Sequence, residues 1–152
     1  KTLGESVKFA SHLAFYPPCF FDFKDMNFSK APIHILIGEL DDWTPAEPCN
    51  DFVDKLAKSN VNITVYENSH HGFDREGGLE FNENGYSFKD CMFDVNIEGD
   101  ILMNYLNIPM TNPFLQKIGF LFCVERGVTI GGNKTARSKS FKFAKEFMQK
   151  TL

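Results

Sequence analysis

The spacing of apolar and polar positions changes several times along the chain, and each change predicts an element. Lys8 to Tyr16 carries Phe9, Leu13 and Phe15 and stops at Pro17-Pro18, as a strand would. Ile33 to Ile37, bounded by Pro32 and Gly38, is a short β-rich run of the kind buried on both faces of a parallel sheet. Thr44, Pro45 and Glu47 read as a helix start, with Thr44 as N-cap, Pro45 at the first helical position and Glu47 reaching back. Pro48 fits only in that first turn. Cys49, Phe52, Val53, Leu56 and Ala57 then recur at the three-and-four spacing of one helix face, and Asn60 closes it. Val61, Ile63 and Val65 alternate with Asn62, Thr64 and Tyr66, a second strand. Near the end, Ala136, Ser140, Phe143, Ala144, Phe147 and Met148 mark a helix from Thr135 to Lys150. The pattern thus predicts strands near 10–16, 33–38 and 61–66, and helices near 46–59 and 135–149.

A crossover helix between two strands of one sheet makes them parallel and leaves both C-terminal ends on one edge, where sites in such sheets form. The loop after the first of these strands holds Asp41 and Asp42; the loop after the second holds His70 and His71. The expected fold is therefore α/β, with a mainly parallel sheet and flanking helices, and an acid and a base delivered side by side. Two stretches depart from this. Phe20 to Ala31 is too apolar for a free loop and is expected to cover the site or a partner surface. From Asp74 to Gly132 the period is lost: Arg75 to Gly85 reads as loop, Tyr86 to Val95 as a short extended piece, Leu102 to Leu106 as a turn of helix, and Phe114 to Glu125 as one packed element. So long a link usually carries function or covers something.

The residues of these loops carry a resemblance. Gly38-Glu39-Leu40-Asp41-Asp42-Trp43-Thr44-Pro45 and Ser69-His70-His71-Gly72-Phe73 resemble the acid and histidine loops of the dienelactone hydrolase family, a branch of the α/β-hydrolases. Tyr16-Pro17-Pro18-Cys19 is similar to the end of the preceding family strand, and Gly131-Gly132-Asn133 with Ala136 to the start of the last helix. The resemblance implies Asp41 as the acid, three residues after Gly38, and His71 as the base, followed directly by the Gly-Phe pair. Such hydrolases order their triad as nucleophile, acid, histidine, with the nucleophile in a G-x-S-x-G-type elbow. No such pentapeptide occurs here; Gly4-Glu5-Ser6-Val7-Lys8 begins like one but puts Lys8 where a small residue is needed. The reading is of a C-terminal half: one partial α/β-hydrolase domain over 1–152, with 75–132 as a long insertion after the histidine loop and the nucleophile upstream of residue 1.

The implied chemistry is acyl transfer on an ester, lactone or other acyl bond, with the missing N-terminal half or another subunit as partner and no cofactor. This chain alone is expected to be inactive. The alternative is a non-catalytic α/β module, derived from a hydrolase, that binds or assembles. Bland readings stand beside the sharp ones. Asp41 and Asp42 could simply favour a helix start. His70, His71 and Asp74 have metal-binding chemistry, but adjacent histidines on an extended chain face opposite ways, so no metal is expected. His12 and His34 lie in predicted strands as packed or edge residues. Cys19 could be a nucleophile, since relatives can use cysteine, but it lacks the elbow.

Composition narrows the picture little. A net charge of -4 without a basic stripe argues against a nucleic-acid partner, and no apolar run approaches the roughly 20 residues of a membrane span. Seventeen phenylalanines point to an aromatic core or a greasy site. Four cysteines allow three pairings. Their places in the expected fold favour Cys19–Cys49 and Cys91–Cys123, which lean towards a periplasmic or secreted protein; four reduced thiols would fit the cytoplasm. Three sequons, at Asn27, Asn62 and Asn133, say nothing without a secretory context.

Overall fold

The structure, a computed structural model, describes residues 8–56, 60–103 and 105–152. The Gly4–Val7 stretch, Ala57 and the predicted helix end at 57–59 lie outside the described residues. Three strands form a wholly parallel sheet: β1 (His12–Phe15), β3 (Ile33–Gly38) and β4 (Val61–Tyr66), with β3 in the middle. β2 (Phe21–Phe23) belongs to another sheet. Ile33 lies opposite Val61 and Gly38 opposite Tyr66, so β3 and β4 end level with each other.

Alternation along β3 decides what covers each face. Ile35 and Ile37 pack on Cys49, Ala46, Phe52 and Val53 of α1 (Ala46–Lys55). Leu36 points the other way, into Phe73, Tyr66, and Ala136 and Phe143 of α3 (Lys134–Thr151). Leu36 and Ile37 are fully buried, which is why this run reads as continuously apolar. His34 shares the α3 face: its Nε2 lies 2.9 Å from Thr64 Oγ1, and its ring centroid is 4.3 Å from that of Phe143. Burial lowers the pKa of His34 below its usual 6.5. The unfolded chain therefore binds a proton at this position that the folded chain resists. Stability is present above about pH 6.5 and is lost as pH falls below it. The melting temperature should drop as pH falls below about 6.5, and His34→Gln should flatten that drop; an unchanged slope in the variant would refute the assignment.

Several expectations need correction. Thr44 is not the N-cap of α1: Pro45 is, with no side-chain cap, because the Thr44 hydroxyl is engaged elsewhere. Arg75–Gly85 is not a loop throughout, since β5 (Leu79–Ser87) pairs antiparallel with β9 (Glu125–Gly131). Leu102–Leu106 is not a helical turn: Ile101–Met103 is β7, between β6 (Phe93–Val95) and β8 (Ile108–Pro109). β2 joins them through a parallel pairing with β6, giving a mixed sheet in the order β2-β6-β7-β8. Phe114–Glu125 is shared between α2 (Pro113–Phe120), capped by the Asn112 side chain, and the start of β9. The architecture is α/β, but only the β1-β3-β4 sheet is wholly parallel; the β5-β9 pair is antiparallel and the β2-containing sheet is mixed.

Much of the phenylalanine content goes into a second core. Phe20, Cys91, Phe93, Met103 and Cys123 are buried together, with Phe21, Phe88 and Phe120 packed against them. All four cysteines are paired, Cys19 with Cys49 and Cys91 with Cys123, at Cα separations of 4.8 and 4.9 Å. Such bridges persist in oxidising compartments and are rare in the cytosol, so the chain leans towards an extracellular setting. Among the described residues no helix is long and apolar enough to cross a membrane.

Candidate active site

The loops that follow β3 and β4 are joined before any side chain is considered. Glu39 N–H donates to Tyr66 O at 3.0 Å, and Leu40 N–H to Ser69 O at 2.9 Å. Gly38 makes this possible, since a Cβ there would stand 2.3 Å from the Ser69 carbonyl oxygen. The chain then turns at Asp41, whose Oδ1 accepts the backbone N–H groups of Trp43 at 3.0 Å and Thr44 at 2.8 Å. Short-range bonds of this kind are what aspartate offers a turn. They leave Oδ2 facing the second loop, with the side chain fully buried.

His71 Nδ1 lies 2.9 Å from Asp41 Oδ2 and 3.2 Å from Thr44 Oγ1. The Thr44 hydroxyl also lies 3.1 Å from Tyr16 O. With the proton on Nδ1, shared between Asp41 Oδ2 and Thr44 Oγ1, the threonine hydroxyl donates to Tyr16 O or to Asp41 Oδ2, 3.2 Å away. Nε2 is then the unprotonated nitrogen. It makes no hydrogen bond among the described residues, and the His71 side chain keeps 19% of its surface exposed.

Two rings pack against the imidazole. The Tyr16 centroid is 4.3 Å away and that of Trp43 4.8 Å away. The Tyr16 hydroxyl donates to Asp74 Oδ1 at 3.0 Å, and its pKa is pushed up to about 12, by burial first and by the Asp74 carboxylate second. The phenol thus stays protonated over the working range and engages Asp74 as a donor. The backbone of His71 is fixed too: it bridges to Ile130, and its carbonyl accepts Gly131 N–H at 3.0 Å. Gly72, at φ 73°, takes a left-handed conformation that favours glycine, and Phe73 behind it is fully buried. Asn133 ties the histidine loop to α3: Oδ1 caps the helix by accepting from Thr135 and Ala136, while Nδ2 donates to Asn68 O and Ser69 Oγ.

The remaining candidates separate from this centre. Asp42 turns the other way and accepts Thr129 N–H of β9 at 2.9 and 3.0 Å. His70 is half-buried, with Nδ1 unpartnered among the described residues. His70, His71 and Asp74 do not converge, and among the described residues no group of three or more His, Cys, Asp or Glu side chains is placed to hold a metal ion. Cys19 is in a disulfide and presents no thiolate. The sequence reading missed the part played by Thr44, assigned to capping although it stands three residues after Asp41. It also missed the latch from Asp42 to Thr129, for which no local signal exists, since the partners are far apart in the chain.

The described structure is an α/β protein with a buried carboxylate holding a histidine at the C-terminal edge of a parallel sheet. The dienelactone hydrolase family model matches residues 3–91, more than half of the chain, and the chain belongs to that family. The family implies an α/β-hydrolase fold and suggests a hydrolase-like function on a small-molecule substrate. The match takes in both site loops and ends at Cys91, so Gly131–Asn133 and Ala136 lie beyond it. No curated protein and no solved structure matches the chain.

Proposed function

We propose that this chain supplies the acid and the base of a serine or cysteine hydrolase that cleaves an ester, lactone or other acyl bond. The observation that carries the reading is the 2.9 Å contact between His71 Nδ1 and Asp41 Oδ2, with Nε2 free of hydrogen bonds among the described residues. In this reading Nε2 takes the proton of a serine or cysteine as that group attacks the carbonyl. Asp41 holds the tautomer and stabilises the imidazolium while the proton waits. The leaving group collects that proton, and a water activated by the same nitrogen then releases the acyl group. The nucleophile is assigned to a segment outside residues 1–152 or to another subunit. We take the chain as one partial hydrolase domain, the C-terminal half of the fold, with 75–132 inserted; the two disulfides support a periplasmic or extracellular setting.

The test is to trap the acyl-enzyme. Full-length protein mixed with p-nitrophenyl acetate and quenched in acid should carry one acetyl group on a single serine or cysteine, located by mass spectrometry. The His71→Ala protein should carry none. A full-length protein that never acylates would favour a binding or assembly module instead.

A further inference from the structure

One side of the candidate site opens onto a cavity that the reaction, as described, does not use. Its volume is about 470 Å³, within the range of small-molecule sites. Phe20, Phe21, Phe88, Phe93 and Phe120 wall it, with Trp43 at the end nearest the histidine. Trp43 faces the cavity and also packs 4.8 Å from the His71 ring, and Thr44, another wall residue, lies 3.2 Å from His71 Nδ1. The cavity and the acid–base pair therefore share two adjacent residues.

The chemistry of the wall is one-sided. Among the described residues no charged side chain lines it; Thr44 and Gln116 are its polar members. An anionic or sugar-like ligand would find neither counter-charge nor enough hydrogen-bond partners there. The rings are not simply core, because Phe21, Phe88, Phe120 and Trp43 are only half-buried and Ile101 at the rim is 38% exposed. Apolar surface left open beside a reactive group is suited to an apolar ligand. Phe93, Ile101, Met110, Gln116 and Phe120 all follow Cys91, where the family match stops, so much of this wall is built by residues outside it.

We propose that this cavity binds the apolar alkyl or aryl part of the ester substrate, beside Trp43, so that the protein prefers medium-chain or aromatic esters to short or charged ones. The proposal rests on the hydrolase reading for the word substrate, but binding can be measured without turnover. Methyl ketones carry a carbonyl on an alkyl chain and cannot be hydrolysed, which makes 2-hexanone and 2-octanone suitable probes for calorimetry on the full-length protein. Each buried methylene should tighten binding about fourfold, hence roughly fifteenfold between the two ketones, with a negative heat-capacity change. Ile101→Asp, which sets a charge at the rim, and Gln116→Trp, which fills the space, should each weaken 2-octanone binding at least about tenfold. Two variants on different elements guard against one of them misfolding.

The outcomes divide cleanly. Ketone affinity that ignores chain length, or that survives in both folded variants, overturns the cavity assignment, including the case in which another segment of the full-length protein covers the groove. If that happens while the acyl-enzyme still forms, the hydrolase reading stands and the cavity is not its substrate site. If the ketones bind with the expected length dependence but no acyl-enzyme is trapped, the cavity is a ligand site and the proposed reaction fails.

Discussion

His71→Ala should lower ester turnover of the full-length protein by about a millionfold, and Asp41→Asn by about ten-thousandfold, with little change in KM. Without the imidazole the nucleophile keeps its proton and the leaving group receives none. With asparagine at 41 the ring loses the carboxylate that holds Nδ1–H at 2.9 Å, and the tautomer with Nε2 unprotonated is no longer enforced. Asp42→Asn is the informative neighbour: its carboxylate serves Thr129 N–H, so turnover should fall only as far as β9 shifts, a few-fold. Steady-state kinetics on the three variants, with circular dichroism to verify folding, decides the matter. Full activity in the His71 variant, or equal losses at 41 and 42, would end the reading.

Replacing Cys91 and Cys123 together by alanine should cost about 3–4 kcal/mol of folding stability. The bridge closes a loop with a sequence separation of 32, and by chain entropy that constraint on the unfolded state is worth about this much. Against a total of about 5–15 kcal/mol for an ordinary domain, the loss is large. Both sulfur positions are buried in the aromatic core, so alanine also leaves a small void. Urea denaturation of the variant, and of the parent with and without dithiothreitol, measures it. A loss below about 1 kcal/mol would mean that the bridge adds little to what Phe20, Phe93 and Met103 already hold.

What could be read from the sequence follows from where each signal resides. β3, β4, α1 and α3 announce themselves because each is set by its own side chains: Leu36 and Ile37 are buried, and Phe143 faces the sheet at helical spacing. β5 does not, because the alternation of Leu79 and Phe81 breaks off in the polar run Asn82-Glu83-Asn84-Gly85. It is a strand by virtue of Val128, Thr129 and Ile130, its partners in β9. β7 fails for a related reason, since Ile101–Met103 is short enough to suit either period. At the site, Asp41 and His71 were visible through the loops that carry them. Thr44, the Tyr16 and Trp43 rings around the imidazole, and the Asp42 latch are products of packing and left little trace in spacing.

The 4.9 Å between the Cα atoms of Cys91 and Cys123 has a consequence for redesign. The segment between those two residues begins and ends at nearly one point, while β6 within it stays paired to β2 and Phe93 and Met103 pack with Phe20. The segment carries Phe93, Ile101, Met110, Gln116 and Phe120 of the cavity wall, yet neither Asp41 nor His71. A redesign that keeps β6 and its pairing with β2 can therefore reline the remainder between the same two cysteines to change which molecules fit, while the acid and the base stay anchored in the parallel sheet.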